Sequence, residues 1–239
     1  MKTLFISDLH LSQERPVIAD LFLRFLQEQA SQADSLYILG DLFEAWLGDD
    51  MVLPEYQPSI AAMKSLSAVG VPIYVMYGNR DFLMREAFEQ MTGANLIYEP
   101  HIIQLGDQPT LLLHGDTLCT DDVAYQQFRS MVRNPQWQSE LLAKTPAQRL
   151  ALAREYRAMS QTEMAKKDEA IMDVNQQTVL ATLRQQHVRH MIHGHTHRPG
   201  VHDFDLDGRP AQRIVLGDWY EHGNYLVCDG SQCRLQDFS

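Results

Sequence analysis

The stretch MIHGHTHRPG, residues 191–200, sets His193, His195 and His197 two apart, with Gly194 and Thr196 between them. Side chains alternate faces along an extended chain, so residues at i, i+2 and i+4 point the same way. The small residues between them leave the backbone accessible to something bound. Four other stretches end in the same kind of residue. Each is a short apolar run that stops abruptly at Asp, Asn or His, usually beside a glycine. They are TLFISDLH (3–10), SLYILGDLF (35–43), PIYVMYGNRDF (72–82) and TLLLHGD (110–116). Collected, the polar tips are Asp8, His10, Asp41, Asn79, His114, His195 and His197.

These seven residues are carboxylates, an amide and imidazoles, with no thiolate. One divalent ion takes about four to six such donors, so seven point to two ions that share a ligand. A carboxylate can bridge them because each oxygen can serve one cation. Two metals about 3.5–4 Å apart can clamp the attacking and departing oxygens of a phosphoryl displacement. Nitrogen mixed with oxygen suits Mn, Fe or Zn better than Ca. Within the opening stretch, His195 and His197 are the expected ligands. His193 lies earlier in its run and reads as a packed residue or one that supports a ligand.

The elements that must carry these tips are readable from periodicity. Short apolar runs between turn signals read as buried strands. Helical patterns separate the first three, over Val17–Ala30 and Ile60–Ser67. Strand–helix alternation predicts parallel sheet, and the later runs RIVLGDW, NYLVCDG and CRLQDF predict antiparallel additions. The fold class is therefore α/β with mixed sheet, in one domain over 1–239. In open α/β sheets, sites form beyond the carboxyl ends of the strands, where each tip stands.

Composition narrows the function. Hydrophobic residues make up 45% of the chain, enough for a real core. The amino terminus is too short in apolar residues for a signal-peptide core, and no run approaches a membrane span, so a cytosolic protein is expected. Cys119, Cys228 and Cys233 form no CxxC pair and are expected to be reduced. A net charge of −11 argues against nucleic acid as a partner. That charge is uneven: residues 123–167 carry +5 and the remainder −16. In the basic segment apolar residues recur at helical spacing, and Pro135 and Pro146 divide it into separate helices. It reads as a basic helical cap over the site. Arginine-bearing amphipathic helices can lie on an anionic membrane surface.

The ordered pattern D-x-H, G-D, G-N-x-[DE], H and G-H-x-H over residues 5–198 resembles the calcineurin-like metallophosphoesterase superfamily. The resemblance implies an αββα sandwich of two mixed sheets and a dinuclear centre. Asp8, His10, Asp41 and His197 would hold one ion. Asp41, Asn79, His114 and His195 would hold the other, with Asp41 bridging and an activated water as nucleophile.

A closer resemblance rests on GDLFEAWLGDD (40–50), YGNRDFL (77–83), HGDTLCTDD (114–122), AIMDVNQ (170–176) and IHGHTHRP (192–199). It is to the branch of the superfamily that hydrolyses the pyrophosphate of a nucleotide-linked diacyl sugar in lipid A synthesis. That branch usually uses Mn²⁺, works at the cytoplasmic face of the inner membrane as a peripheral protein, and attacks the α-phosphorus. The likeness implies catalytic roles for Asp41, Asn79, Arg80 and His195. It implies substrate contacts by Asn79, Arg80 and His195 at the phosphates and by Asp122, Ser160 and Lys167 from the cap. Position 164, another contact in that branch, is Met164 here and is not carried over. Many superfamily members have His directly after the G-N; this chain has Arg80. A guanidinium is a poor proton donor and a good phosphate clamp, which suits a leaving group that is itself a phosphate. Rival readings are a generic phosphodiesterase of the superfamily, a nuclease, and a non-catalytic scaffold, which would be expected to have lost ligands.

Overall fold

The computed structural model describes residues 1–164 and 171–239. Two sheets stack face to face. The first has six strands in the order β11-β10-β1-β2-β3-β4. These are β1 (Lys2–Ile6), β2 (Ser35–Leu39), β3 (Ile73–Met76), β4 (Asn95–Ile97), β10 (Gly223–Asp229) and β11 (Gln232–Phe238). The second has five, in the order β5-β6-β7-β9-β8. These are β5 (His101–Leu105), β6 (Gln108–Leu112), β7 (His190–His193), β8 (Gly200–Asp205) and β9 (Pro210–Val215). Strands β1 to β4 run parallel, with β10 and β11 added antiparallel. In the second sheet β6, β7 and β9 are parallel, and the outer strands β5 and β8 are antiparallel.

The period-two pattern of the strands explains the layers. In β1, Phe5 points between the sheets, where it joins Leu39, Met76, Leu112, Ile192, Ile214 and Leu226. Its neighbours Leu4 and Ile6 point the other way, onto α1 (Pro16–Glu28) and α2 (Gln57–Ala68). Helix α1 offers Ile18, Leu21, Phe22, Phe25 and Leu26 as one buried stripe. Behind the second sheet, α7 (Gln176–Gln185) buries Val179 and Leu183 against Leu111, Leu113 and Met191. Helix, sheet, sheet, helix is the expected αββα arrangement. Each fully buried Leu or Phe in these layers contributes on the order of 1.5–3 kcal/mol before chain entropy is set against it.

The eight runs read as strands are strands. Three further strands, β4, β5 and β8, were not among those runs. RIVLGDW, expected as an antiparallel addition, lies in β9, which is parallel to β7 and antiparallel only to β8. The opening histidine stretch differs more. Strand β7 ends at His193, and the chain beyond it is not extended: His195 and His197 have φ of 70° and 55°. Alternation therefore does not put the three imidazoles on one face.

Helices α4 (Val123–Val132), α5 (Pro135–Leu142) and α6 (Pro146–Met164) form the segment expected as a cap. Asp122 caps α4 by accepting from the Tyr125 N–H, and Asn134 caps α5. Pro135 and Pro146 each open a helix, where a missing N–H costs nothing. Helix α3 (Glu86–Thr92) lies behind the first sheet, ending at Gly93 in the left-handed conformation. Cys228 and Cys233, expected to be reduced, face each other across the β10–β11 hairpin and are joined as a disulfide. A spacing of five across a tight turn made them direct cross-strand partners, which the count of cysteines could not show. Cys119 is free and buried.

Candidate metal centre

Five strands deliver the seven residues to one place. Asp8 and His10 follow β1, Asp41 follows β2, Asn79 follows β3, His114 follows β6, and His195 and His197 follow β7. The strands stop here because the chain turns sharply. Asp8, His10, Asp41, His195 and His197 all have φ between 49° and 70°. A non-glycine residue in that region costs on the order of 1–3 kcal/mol and persists only where its surroundings over-determine it. They do so by crossing hydrogen bonds. Asp8 N–H donates to Gly40 O, His10 N–H to Asp41 O, and Gly194 N–H to His114 O.

The donors fall into two groups. At one end Asp8, His10 and His197 converge. Asp8 Oδ1 lies 3.4 Å from His197 Nε2 and 3.9 Å from His10 Nε2. At the other end, Asn79 Oδ1 lies 3.1 Å from His114 Nε2 and 3.0 Å from His195 Nδ1. Asp41 stands between them, its Oδ2 3.6 Å from His10 Nε2 and 3.9 Å from His114 Nε2. Its Oδ1 is held separately by the Arg80 N–H at 2.8 Å. Asp8 also reaches toward the second group, with Asp41 and His114. The three-histidine stretch is thus split between the two ends by its left-handed turns.

Close approach makes this possible. A side chain at Gly78 would place its first carbon 2.1 Å from Asp41 Oδ1, and one at Gly194 would stand 2.3 Å from Asp8 Oδ2. Asp81 is fully buried and accepts from the N–H groups of Leu42 and Gly78 at 2.7 Å each, so one carboxylate ties the Asp41 and Asn79 turns together. Burial, then Asp41, raises its pKa to about 6. The ligand rings are oriented from behind. His10 Nδ1 faces Glu44 Oε2 at 3.3 Å, and His197 Nδ1 faces Asp218 Oδ2 at 3.3 Å. His114 Nδ1–H donates to Leu39 O at 2.9 Å. Partners of this kind turn a histidine's other nitrogen toward a metal.

The donor set fits divalent cations. Asp8 Oδ1 and His10 Nε2 are buried without a hydrogen-bond partner. Burying such atoms unpaired is costly unless a cation meets them. The electrostatics agree. Burial opposes charge on His114, but Asp41, Asp116, Asp8 and Glu99 outweigh it and raise its pKa to about 9. Burial and the neighbouring His114 hold His195 down to about 4. Positive charge is wanted here, and a proton on His114 meets part of that demand.

The remaining expected residues lie as follows. Arg80 follows Asn79 in the chain, and its side chain reaches the carboxylate behind His10, with Nη1 3.7 Å from Glu44 Oε1. Asp122 is buried at the start of α4, and Ser160 is half-buried on α6, one turn beyond Arg157. Lys167 lies outside the described residues. His193 is fully buried and turned away; its Nδ1–H donates to Gly194 O at 2.8 Å, and Arg213 donates to its Nε2 at 3.1 Å. Burial holds its pKa near 3, so it stays neutral.

Sequence reasoning missed Glu44, Asp81, Asp218, Tyr125 and Tyr220. Two of them had a readable signal: Asp81 closes the G-N-x-[DE] pattern, and the LGDW of Asp218 ends its strand with the same Gly-Asp as Asp41. Tyr125 packs on His195 with ring centres 5.5 Å apart and donates its hydroxyl to Asp116.

Several arginines of the basic island have partners within the fold. Arg129 pairs with Asp116 and Glu99, and Arg149 pairs with Asp50 through both nitrogens. Arg157 pairs with Glu14 at 3.1 Å and Glu44 at 3.3 Å. Arg133 donates to Gly78 O and lies over Tyr77 and Phe82. The cap's positive charge is thus largely matched to the acidic body beneath it. Among the described residues of the segment, Lys144 and Arg154 remain on the outer surface.

A buried Asp-His-Asn cage at the carboxyl ends of two stacked sheets defines a class of metal-dependent phosphoesterase. Residues 1–199 match the calcineurin-like phosphoesterase family, and the chain belongs to it. A solved archaeal phosphodiesterase shares the fold over 100% of both chains, with a TM-score of 0.50 at 14% identity. Closer likeness is to proteins named UDP-2,3-diacylglucosamine hydrolase. That of Stenotrophomonas maltophilia (strain K279a) is 51% identical, covering 98% of each chain. That of Cellvibrio japonicus is 50% identical over 100% of this chain and 99% of its own. That of Chromohalobacter salexigens is 48% identical over 100% and 98%.

Proposed function

We propose that this enzyme hydrolyses the pyrophosphate bond of UDP-2,3-diacylglucosamine, giving UMP and 2,3-diacylglucosamine 1-phosphate (lipid X), with water attacking the α-phosphorus. The observation that carries the reading is Asp41 Oδ2, placed between two sets of donors, one of which holds Asp8 Oδ1 and His10 Nε2 buried and unpaired. The near-50% identity to hydrolases of that name supplies the substrate.

Asp8, His10, Asp41 and His197 would hold one divalent cation, and Asp41, Asn79, His114 and His195 a second, with Mn²⁺ the ion proposed. When bound, the pair supplies Lewis acidity and an activated water at neutral pH. The protein's own groups do the rest. Glu44 and Asp218 hold His10 and His197 in register. Arg80 would neutralise charge on the departing phosphate, which needs no proton because it is already a stable anion. Glu44 keeps the guanidinium at the mouth of the centre instead of letting it swing free. Asn79 and His195 would meet phosphate oxygens. Asp122, Ser160 and Lys167 would take the diacyl sugar from the cap.

Peripheral attachment to the cytoplasmic face of the inner membrane belongs to the same proposal. Among the described residues no helix is long and apolar enough to cross a membrane. Support for surface contact comes less from the arginines, most of which turn inward, than from Val123, Met131 and Met159, which are exposed in the same helical segment as exposed Lys144 and Arg154.

The test is chelator-stripped protein in detergent, given UDP-2,3-diacylglucosamine with and without Mn²⁺ and assayed for UMP. Bis-p-nitrophenyl phosphate runs alongside. UMP only with metal, and slow action on the generic ester, is the expected result. Rapid generic hydrolysis with no UMP would leave a metallophosphodiesterase of another substrate.

A further inference from the structure

The centre has two ends, and a tyrosine flanks each. At the Asn79–His195 end stands Tyr125 of the cap, its hydroxyl bonded to Asp116. At the other end stands Tyr220, in the loop between β9 and β10. Its ring centre lies 5.6 Å from that of His10 and 5.2 Å from that of His197. Unlike the fully buried Trp219 that precedes it, Tyr220 is 47% exposed.

Tyr220 is nevertheless held firmly. Its N–H donates to Asp218 Oδ1 at 3.0 Å, and the other oxygen of that carboxylate faces His197. The Trp219 indole donates to Asn224 O, anchoring the loop from the core side. The Arg15 guanidinium lies 4.4 Å from the Tyr220 ring centre. Arg15 is itself tied to His10 O at 3.0 Å and faces Glu44 at 3.6 Å, while its Nη1 is buried with no hydrogen-bond partner. An aromatic ring that is rigid, backed by a guanidinium and half open to solvent is suited to receive a flat, conjugated ligand.

A pyrophosphate joins two groups, and the bond to be cut must lie at the metals. The two groups therefore leave the centre in different directions. Asp122 and Tyr125 set the start of the cap at the His195 end, while α6 reaches the Glu44 side of the centre through Arg157. Beside His10 and His197, the exposed Tyr220 ring is the aromatic surface open to the nucleoside. We infer that Tyr220, backed by Arg15, is the stacking platform for the nucleobase, with the base lying on the open side of the ring. This rests on the proposed nucleotide substrate and adds the residue that reads its base. Base–aromatic stacking is worth about fivefold to a hundredfold in affinity.

The test compares two ligands that share a phosphate and a ribose but differ in the base. Mn²⁺-loaded full-length protein, as wild type, Tyr220→Ala, Tyr220→Phe and Tyr220→Trp, is titrated calorimetrically with UMP and with ribose 5-phosphate. Wild type should bind UMP about tenfold or more tightly than ribose 5-phosphate. Tyr220→Ala should close that gap to within about twofold by weakening UMP alone, while the Phe and Trp variants, which keep a ring, keep the gap. A gap that survives in Tyr220→Ala overturns the inference, as does equal weakening of both ligands or the absence of a gap in wild type. The outcome is separable from that of the proposed reaction. Wild type that releases UMP from the diacyl substrate yet shows no base-dependent gap loses only the platform. A base-dependent gap removed by Tyr220→Ala, without UMP release, keeps a nucleotide site and loses the substrate.

Discussion

Arg157 of the cap lies 3.3 Å from Glu44, the carboxylate whose other oxygen faces the ring of His10. One side chain thus connects the cap to the metal centre, and it faces Arg80 as well. Removing Glu44 should loosen His10, free Arg80 and detach Arg157 together. Glu44→Ala is expected to weaken Mn²⁺ binding or turnover by about 10–100-fold, the usual effect of losing a partner behind a ligand. Arg157→Ala should leave Mn²⁺ affinity nearly unchanged and act on KM. Metal titration beside steady-state kinetics separates the two, and equal effects in both variants would refute the hub.

The shared carboxylate makes a sharper demand. Asp41→Ala and His197→Ala should each lower turnover by more than about 100-fold, beyond the range of supporting residues. Both should retain the wild-type circular dichroism spectrum, because the five strands are held by packing elsewhere. Gly78→Ala should behave like Asp41→Ala, since its new carbon would displace Asp41 Oδ1. Near wild-type turnover in purified Asp41→Ala would remove the dinuclear reading.

Metal binding should depend on pH through His114. In the metal-free protein its pKa is raised to about 9, so at pH 7 its Nε2 carries a proton that a cation must displace. Apparent Mn²⁺ affinity should therefore rise with pH up to about 9 and then level. Calorimetry in buffers of different ionisation enthalpy should show proton release at pH 7 and much less at pH 9.5. The same raised pKa gives the metal-free fold a stability contribution that is full below about 6.5 and lost as pH rises through 9. Metal-independent release of protons, or none at pH 7, would contradict this assignment.

Arg149 anchors the start of α6. It is 4% exposed, donates to Leu47 O and Lys144 O, and meets both oxygens of Asp50. Asp50 is mostly exposed, so the ion pair itself counts for little and the buried backbone contacts for more. Arg149→Met should destabilise by about 1–3 kcal/mol, seen as a Tm lower by roughly 2–10 °C. Arg154→Met, on the outer surface, should shift Tm by less than about 2 °C.

Residue type and order determined much of this protein. Seven polar tips on five apolar runs were legible because a strand buried on both faces must be apolar throughout, so a charge or imidazole at its end stands out. Period-two and period-3.6 patterns likewise set the layers, and Pro135 and Pro146 set the helix starts. What the tertiary structure decided are relations between distant segments. Alternation placed His195 and His197 together, whereas left-handed turns, over-determined by contacts from other strands, send them to opposite ends. The charge of residues 123–167 suggested an outside partner, yet Arg129, Arg149 and Arg157 find theirs in Asp116, Asp50 and Glu44. Net charge is a sum along the chain, but an ion pair needs two groups within about 4 Å, and only folding brings them there.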